Sequence, residues 1–168
     1  PILYGILYGG YNTLQSDLSI NFLAYGEMRG DAFYNNAFNV NADKVVNNSL
    51  DNNIFWASWY NYYRVIKQAN AVIKFTPQVL EAGGISAEKA DDVMGQAYCL
   101  RAFTYFWIIR IWGDAPLVTA PYLDSNDSFD LPKAAVADIV EQIHSDLENA
   151  SNMIDKNSTS RTTFTQTA

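Results

Sequence analysis

The chain has 168 residues and a net charge of −7, and it is 49% apolar but only 17% charged, a balance that fits one globular domain with its own core and excludes a disordered chain. No basic stripe or polybasic run is present, which argues against nucleic acid and against anionic lipid as partners. Eleven Tyr, nine Phe and four Trp exceed what a helical core of this size needs, so some rings are expected on the surface or in a cleft.

Residues 2–15 place Ile2, Leu3, Ile6, Leu7, Tyr11 and Leu14 at helical spacing. Gly5, Gly9 and Gly10 weaken the local propensity, so tertiary packing must hold this helix, and they let another backbone come close. A second short helical or extended piece is expected from Ile20 to Met28, ending at Arg29-Gly30-Asp31. Residues 32–53 interleave Asn35, Asn36, Asn39, Asn41, Asn47, Asn48, Asn52 and Asn53 with Phe33, Tyr34 and Phe38. Asn favours turns and caps, so this stretch reads as a long surface loop, a place where function often resides.

The next helix is predicted over 54–75, where Trp59, Tyr63, Ile66, Asn70 and Ile73 recur at helical spacing; Pro77 is expected to end it and Gly83-Gly84 to turn the chain. Ser86 is the expected N-cap of the central helix, with Glu88 favourable in its first turn. Over 95–112 that helix is apolar almost all round and should be buried on several sides. Arg101 and Arg110 interrupt it and need partners inside, for Arg101 a carboxylate or a set of helix-end carbonyls. Gly113 stops the helix as a left-handed C-terminal residue and Pro116 prevents resumption. Residues 117–131 form a loop rich in Asp, Asn, Ser and Pro. Val136, Ile139, Val140, Ile143, Leu147, Ala150 and Ile154 then make an amphipathic stripe, and the chain turns polar after Asp155. No strand with sustained alternation is evident. The expected fold is all-α: stacked αα-hairpins, a TPR-like helical repeat scaffold with long irregular loops, without a residue-level repeat.

Candidate chemistry is sparse. Asp91 and Asp92 are neighbours on a helix and diverge, and Glu27 and Asp31 read as solvated charge, so no acid pair for glycoside hydrolysis stands out. His144, the only histidine, lacks metal-ligand partners at suitable spacing, and no phosphate-binding glycine motif or zinc spacing occurs. No catalytic residue, metal or cofactor is therefore assigned. Cys99, the single cysteine, reads as a small core residue. Tyr34, Phe38 and Trp56 lie in or beside the Asn-rich loop. Aromatic rings stack on the C–H face of a sugar while Asn and Asp side chains bond its hydroxyls, so these three rings are the candidate ligand contacts. The competing expectation is that they pin the loop to the body.

Three blocks in order carry a family resemblance. The first is W-x-x-x-Y-x-x-I-x-x-x-N, at Trp59, Tyr63, Ile66 and Asn70. The second runs along the central helix through Leu100, Arg101, Ala102, Tyr105 and Phe106 to Gly113 and Pro116. The third is I-x-x-D-L-x-x-A, at Ile143, Asp146, Leu147 and Ala150. Together with Gly30-Asp31 and Arg161-Thr162, this pattern closely resembles the SusD/RagB family over nearly the whole chain; Lys133, where an Arg is common, and Phe164-Thr165-Gln166-Thr167 depart from it. The motif residues Trp59, Tyr63 and Asn70 are expected to be structural and on a buried face, with Asn70 bonding a neighbouring backbone group.

The resemblance implies a non-catalytic, surface-exposed lipoprotein of the outer membrane that captures an oligosaccharide or other nutrient. Its implied partner is a SusC-type TonB-dependent transporter that imports the ligand. Membrane contact is expected only through a lipid on an N-terminal Cys that this sequence does not contain. Residues 1–168 are expected to be the N-terminal helical portion, cut at both ends, with the C-terminal half absent. The alternatives are a helical-repeat scaffold for protein–protein interaction without sugar affinity, and a piece of an all-helical glycoside-processing enzyme.

Overall fold

The structure, a computed structural model, describes residues 2–36, 38–122, 130–156 and 162–165, with the backbone alone at Asp17 and Phe55. Helix α1 (Ile2–Thr13) buries Leu3, Leu7, Gly10 and Thr13. It runs through a π-helical turn at Leu14–Leu18 into α2 (Ser19–Gly26), so the second piece is helical rather than extended. The glycines of α1 admit side chains rather than a second backbone: a Cβ on Gly9 would meet Gln68 at 2.7 Å, and one on Gly10 would meet Leu100 at 2.6 Å.

The Asn-rich stretch is not all loop. Val40–Val46 forms α3, in which Ala42 and Val45 are buried. Asn39 caps it, its Oδ1 accepting from the N–H groups of Asn41 (3.1 Å) and Ala42 (3.2 Å). The same residue type that suggested loop is here the start signal of a helix. A 3-10 turn at Phe55–Ala57 follows, and the long helix α4 spans Tyr60–Glu81. It therefore begins later than the sequence suggested and runs through Pro77 instead of ending there. Pro77 is exposed, on the side of the helix where a missing backbone bond costs least, and burial of Val72 and Thr76 just before it holds the turn.

Gly83 and Gly84 turn the chain into α5 (Ala87–Trp112), with Ser86 at the N-cap position but making no side-chain cap bond. Helix α5 packs between α4 and α6 (Val136–Met153) and touches α1. Its face Val93, Ala97, Leu100, Tyr105 and Ile108 is fully buried, together with Tyr62, Val65 and Ile66 of α4 and Ile139 of α6. Burial is not complete all round, because Phe106 is 42% exposed. Among the described residues Arg110 has no internal ion-pair partner. It is exposed and lies over the rings of Phe106 and Trp107, 5.1 and 4.9 Å from their centroids, so a cation–π contact at the surface replaces the expected buried one. On α6 the stripe is narrower than the sequence suggested: Ile139, Ile143 and Ala150 are buried, whereas Val136 and Leu147 are exposed.

Gly113 leaves α5 with φ 72° and ψ −124°, a positive-φ turn outside the left-handed helical well and open mainly to glycine. The chain then forms a minimal antiparallel pair, β1 (Ala115–Pro116) with β2 (Lys133–Ala134), in the register Ala115 to Ala134 and Pro116 to Lys133. Residues 123–129, within the predicted 117–131 loop, and Arg161, at the family position 161–162, lie outside the described residues. The described tail is held at Phe164, which Gln96 and Tyr11 clamp by hydrogen bonds to its N–H and carbonyl. The fold is all-α, as expected. Among the described residues no helix is long and apolar enough to cross a membrane.

Candidate functional site

Three buried polar residues, Asn70, Arg101 and Asp146, form one network that reaches the short segment 116–120. Arg101 of α5 and Asp146 of α6 form a bidentate ion pair, Nε to Oδ2 at 2.8 Å and Nη2 to Oδ1 at 2.7 Å, with side chains 4% and 1% exposed. Such a pair is tolerable inside only when its remaining donors and acceptors are also matched. They are: Arg101 Nη1 donates to Asn70 Oδ1 (2.6 Å) and to the Thr119 carbonyl (3.0 Å), and Gln142 donates to Asp146 (2.9 Å).

Asn70 passes the contact on. Its Nδ2 donates to the carbonyls of Val118 (3.0 Å) and Ala120 (3.3 Å). The Tyr105 hydroxyl accepts from the Val118 N–H at 2.7 Å and faces the carbonyls of Val118 (3.2 Å) and Pro116 (3.4 Å). Tyr63 donates to the same Pro116 carbonyl at 2.7 Å. Burial pushes the pKa of both phenols well above the ordinary tyrosine value, which keeps their donor protons in place. A segment with no regular structure beyond β1 thus has its backbone groups matched by four side chains from two helices.

This fixed segment is one wall of a groove of about 680 Å³. Val118, Ala120, Pro121 and Tyr122 form that wall, and Leu131 closes an end. The facing wall is the first two turns of α4, with Trp59, Tyr60, Tyr63, Arg64 and Lys67. Trp59 is 37% exposed and Tyr60 68%. The Trp59 ring is backed by Tyr63, edge-on at 5.7 Å, and by Trp112 at 6.1 Å, so it stands as a supported flat surface open to solvent. A second cavity, between the start of α1 and the α4–α5 turn, is lined by Tyr4, Val79, Ile85 and Lys89 among others and has no comparable ring array.

Several expectations shift in this light. Asn70 bonds neighbouring backbone, as its place on an apolar face suggested, and Arg101 has the carboxylate partner it needed. Trp59, expected in the core, stands at the rim of the groove because it occupies the N-cap position of α4, where one side lacks a preceding turn. Tyr34 and Phe38, 80% and 112% exposed, and the half-buried Trp56 do not meet in either cavity. Much of the loop's polar chemistry is turned inward: Asn35 bonds Asp43 and the Asn39 carbonyl, Asn48 accepts from Arg29, and Lys44 pairs with Asp51. Cys99 is half-buried rather than fully buried, and burial raises its thiol pKa to about 11. Among the described residues no cluster could hold a metal ion. Sequence reasoning passed over Tyr60, Arg64 and Lys67. The signal available was their i, i+4, i+7 spacing, which puts all three on one stripe of α4.

Comparison with known proteins bears on this groove. Residues 2–168 match the SusD-like family model described as starch-binding and associating with the outer membrane. SusD-like protein P38 of Formosa agariphila is 28% identical over 147 residues, which cover 86% of this chain and 28% of that protein. A SusD superfamily protein from Bacteroides thetaiotaomicron superposes with a TM-score of 0.79 at 25% identity, covering 96% of this chain and 37% of that one. A laminarin-binding SusD-like protein superposes with a TM-score of 0.76 at 18% identity over 98% of this chain and 36% of its own. The chain thus spans roughly a third or less of the length of each of these relatives.

Proposed function

We propose that this chain, which belongs to the SusD-like family, is the N-terminal helical part of an outer-membrane lipoprotein that captures oligosaccharide for import by a SusC-type TonB-dependent transporter. The observation that carries the reading is the groove between α4 and the 116–122 segment, together with the family match. A sugar ring needs a flat, supported aromatic surface on one side and polar groups at its edge. Trp59 supplies the first, backed by Tyr63 and Trp112, and Tyr60, Ser58 and Arg64 stand beside it. The role in this reading is binding rather than turnover, in keeping with the starch-binding description of the family.

The 32–56 loop has a different part in this reading. Tyr34 and Phe38 project from a self-braced polar segment and lie outside both cavities. We assign them, with Trp56, to contact with the transporter or with the far end of a long ligand, as large exposed rings favour an interface.

The test is a calorimetric glycan screen on the whole protein, repeated with Trp59→Ala and Tyr60→Ala and separately with Tyr34→Ala, Phe38→Ala and Trp56→Ala. A glycan should bind, and Trp59→Ala should weaken it by about 1–3 kcal/mol without loss of helical signal. At least one loop variant should weaken transporter or glycan binding by a similar amount. A protein that binds no glycan but retains a protein partner would be the helical scaffold of the alternative reading.

A further inference from the structure

The two walls of the groove run side by side in the same direction. Tyr63, in the first turn of α4, bonds the Pro116 carbonyl, and Asn70, two turns further on, bonds the carbonyls of Val118 and Ala120. Two helical turns advance about 11 Å. The chain from Pro116 to Ala120 reaches little further than that even when fully extended, at most about 14 Å. The segment is therefore drawn out along the helix, and the groove beside it is a straight trough. Both walls carry rings. Trp59 and Tyr60 stand on the α4 side, and Pro121 and Tyr122 stand on the other. A ligand in this trough meets flat apolar surface on two sides rather than one.

That geometry selects among sugars. A pyranose face is apolar only where C–H bonds, and no hydroxyl, stand upright on it. In a ring of glucose configuration every hydroxyl is equatorial, so both faces carry C–H bonds and the hydroxyls point out at the ring edge, away from both walls. An upright hydroxyl, as in mannose, interrupts one face and is buried against apolar surface without a partner, which costs free energy. The linkage matters as well. Where both bonds of the link are equatorial, the chain is a straight ribbon whose successive rings are turned over, so each wall meets both faces in turn. An axial link, as in starch, coils the chain away from a straight trough. We propose that the groove takes a straight, equatorially linked glycan of glucose configuration, held on both faces between Trp59 and Tyr60 on one side and Pro121 and Tyr122 on the other. The proposal rests on the carbohydrate reading above and adds the configuration and linkage of the ligand. It sets this chain apart from the starch named in the family's description.

The experiment is calorimetric titration of the whole protein with oligosaccharides of matched length from cellulose, from starch and from linear mannan. The starch oligosaccharide changes only the linkage, and the mannan one only the upright hydroxyl. Each is titrated into wild type, Trp59→Ala and Tyr122→Ala, with melting curves to verify the fold; if Tyr122→Ala does not fold, Pro121→Gly tests the same wall. The cellulose oligosaccharide should bind about tenfold or more tightly than either of the others. A substitution on either wall should weaken it about three- to tenfold. Equal affinities, tighter binding of the starch or mannan oligosaccharide, or cellulose binding that a folded variant of the Pro121–Tyr122 wall leaves unchanged overturns this inference and leaves the carbohydrate reading standing. So does binding of none of the three while another glycan binds. Absence of binding to all three, and to a wider glycan panel, overturns both.

Discussion

Arg101 is the residue on which most of the site depends. Its guanidinium joins α5 to α6 through Asp146, to α4 through Asn70, and to the groove wall through the Thr119 carbonyl. Removing one partner of a buried pair leaves an uncompensated charge, so Arg101→Ala or Asp146→Ala should each cost about 3–5 kcal/mol in a urea titration. The double variant Arg101→Met/Asp146→Leu should cost clearly less than the two single losses combined, because no orphan charge remains. A loss in the double variant equal to the sum of the two single losses would mean that the pair is not coupled. The buried phenols give a second check. Tyr11, Tyr63 and Tyr105 all have pKa values raised above the ordinary value near 10, mainly by burial, and burial holds Tyr62 at about 12. A group whose folded pKa is raised stabilises the fold fully below its unfolded value and loses that contribution as pH climbs toward the folded value. Stability should therefore fall as pH rises above about 10, and part of the tyrosinate absorbance should appear only with unfolding. A full tyrosine titration near pH 10 with the fold intact would contradict the burial of these rings.

At the scale of elements, the sequence was clearest where apolar periodicity was strongest. The spacing of Leu100, Tyr105 and Ile108 and of Ile139, Ile143 and Ala150 marked α5 and α6, and both are present with those residues buried. It was least clear where one residue type serves two purposes. Asn39 looks like loop but caps α3, and Pro77 looks like a stop but sits on the exposed side of α4. The motif residues Asn70, Arg101, Tyr105 and Asp146 were found in the sequence. Their common target, the backbone of 116–120, was not, because hydrogen bonds to backbone leave no trace in residue type. Close packing of elements also yields a paired test. A Cβ on Gly95 of α5 would lie 2.9 Å from the Ile154 nitrogen and 3.1 Å from the Met153 Cβ, at the end of α6, whereas one on Gly5 of α1 meets nothing within 4 Å. Gly95→Ala should destabilise by about 1–3 kcal/mol. Gly5→Ala, exposed within a helix, should instead stabilise by about 0.5–1 kcal/mol. Similar melting shifts for the two would argue that α5 and α6 are not in close contact there.

For the whole molecule, the arrangement amounts to a rigid support for an irregular segment. Four helices pack about one core, and from that core Tyr63, Asn70, Arg101 and Tyr105 reach out to fix 116–120 as a groove wall. The motif residues Asn70, Arg101 and Tyr105, on this account, serve ligand capture without touching ligand. Tyr105→Phe isolates that claim. It removes the acceptor of the Val118 N–H while keeping the ring that fills the core. Glycan affinity of the whole protein should be measured for this variant, with hydrogen exchange at the Val118 amide as the structural readout. The account expects faster exchange at Val118 and glycan binding weakened about three- to tenfold, with helical content unchanged. Faster exchange at Val118 with undiminished glycan affinity would contradict it, and would place the binding site away from this groove.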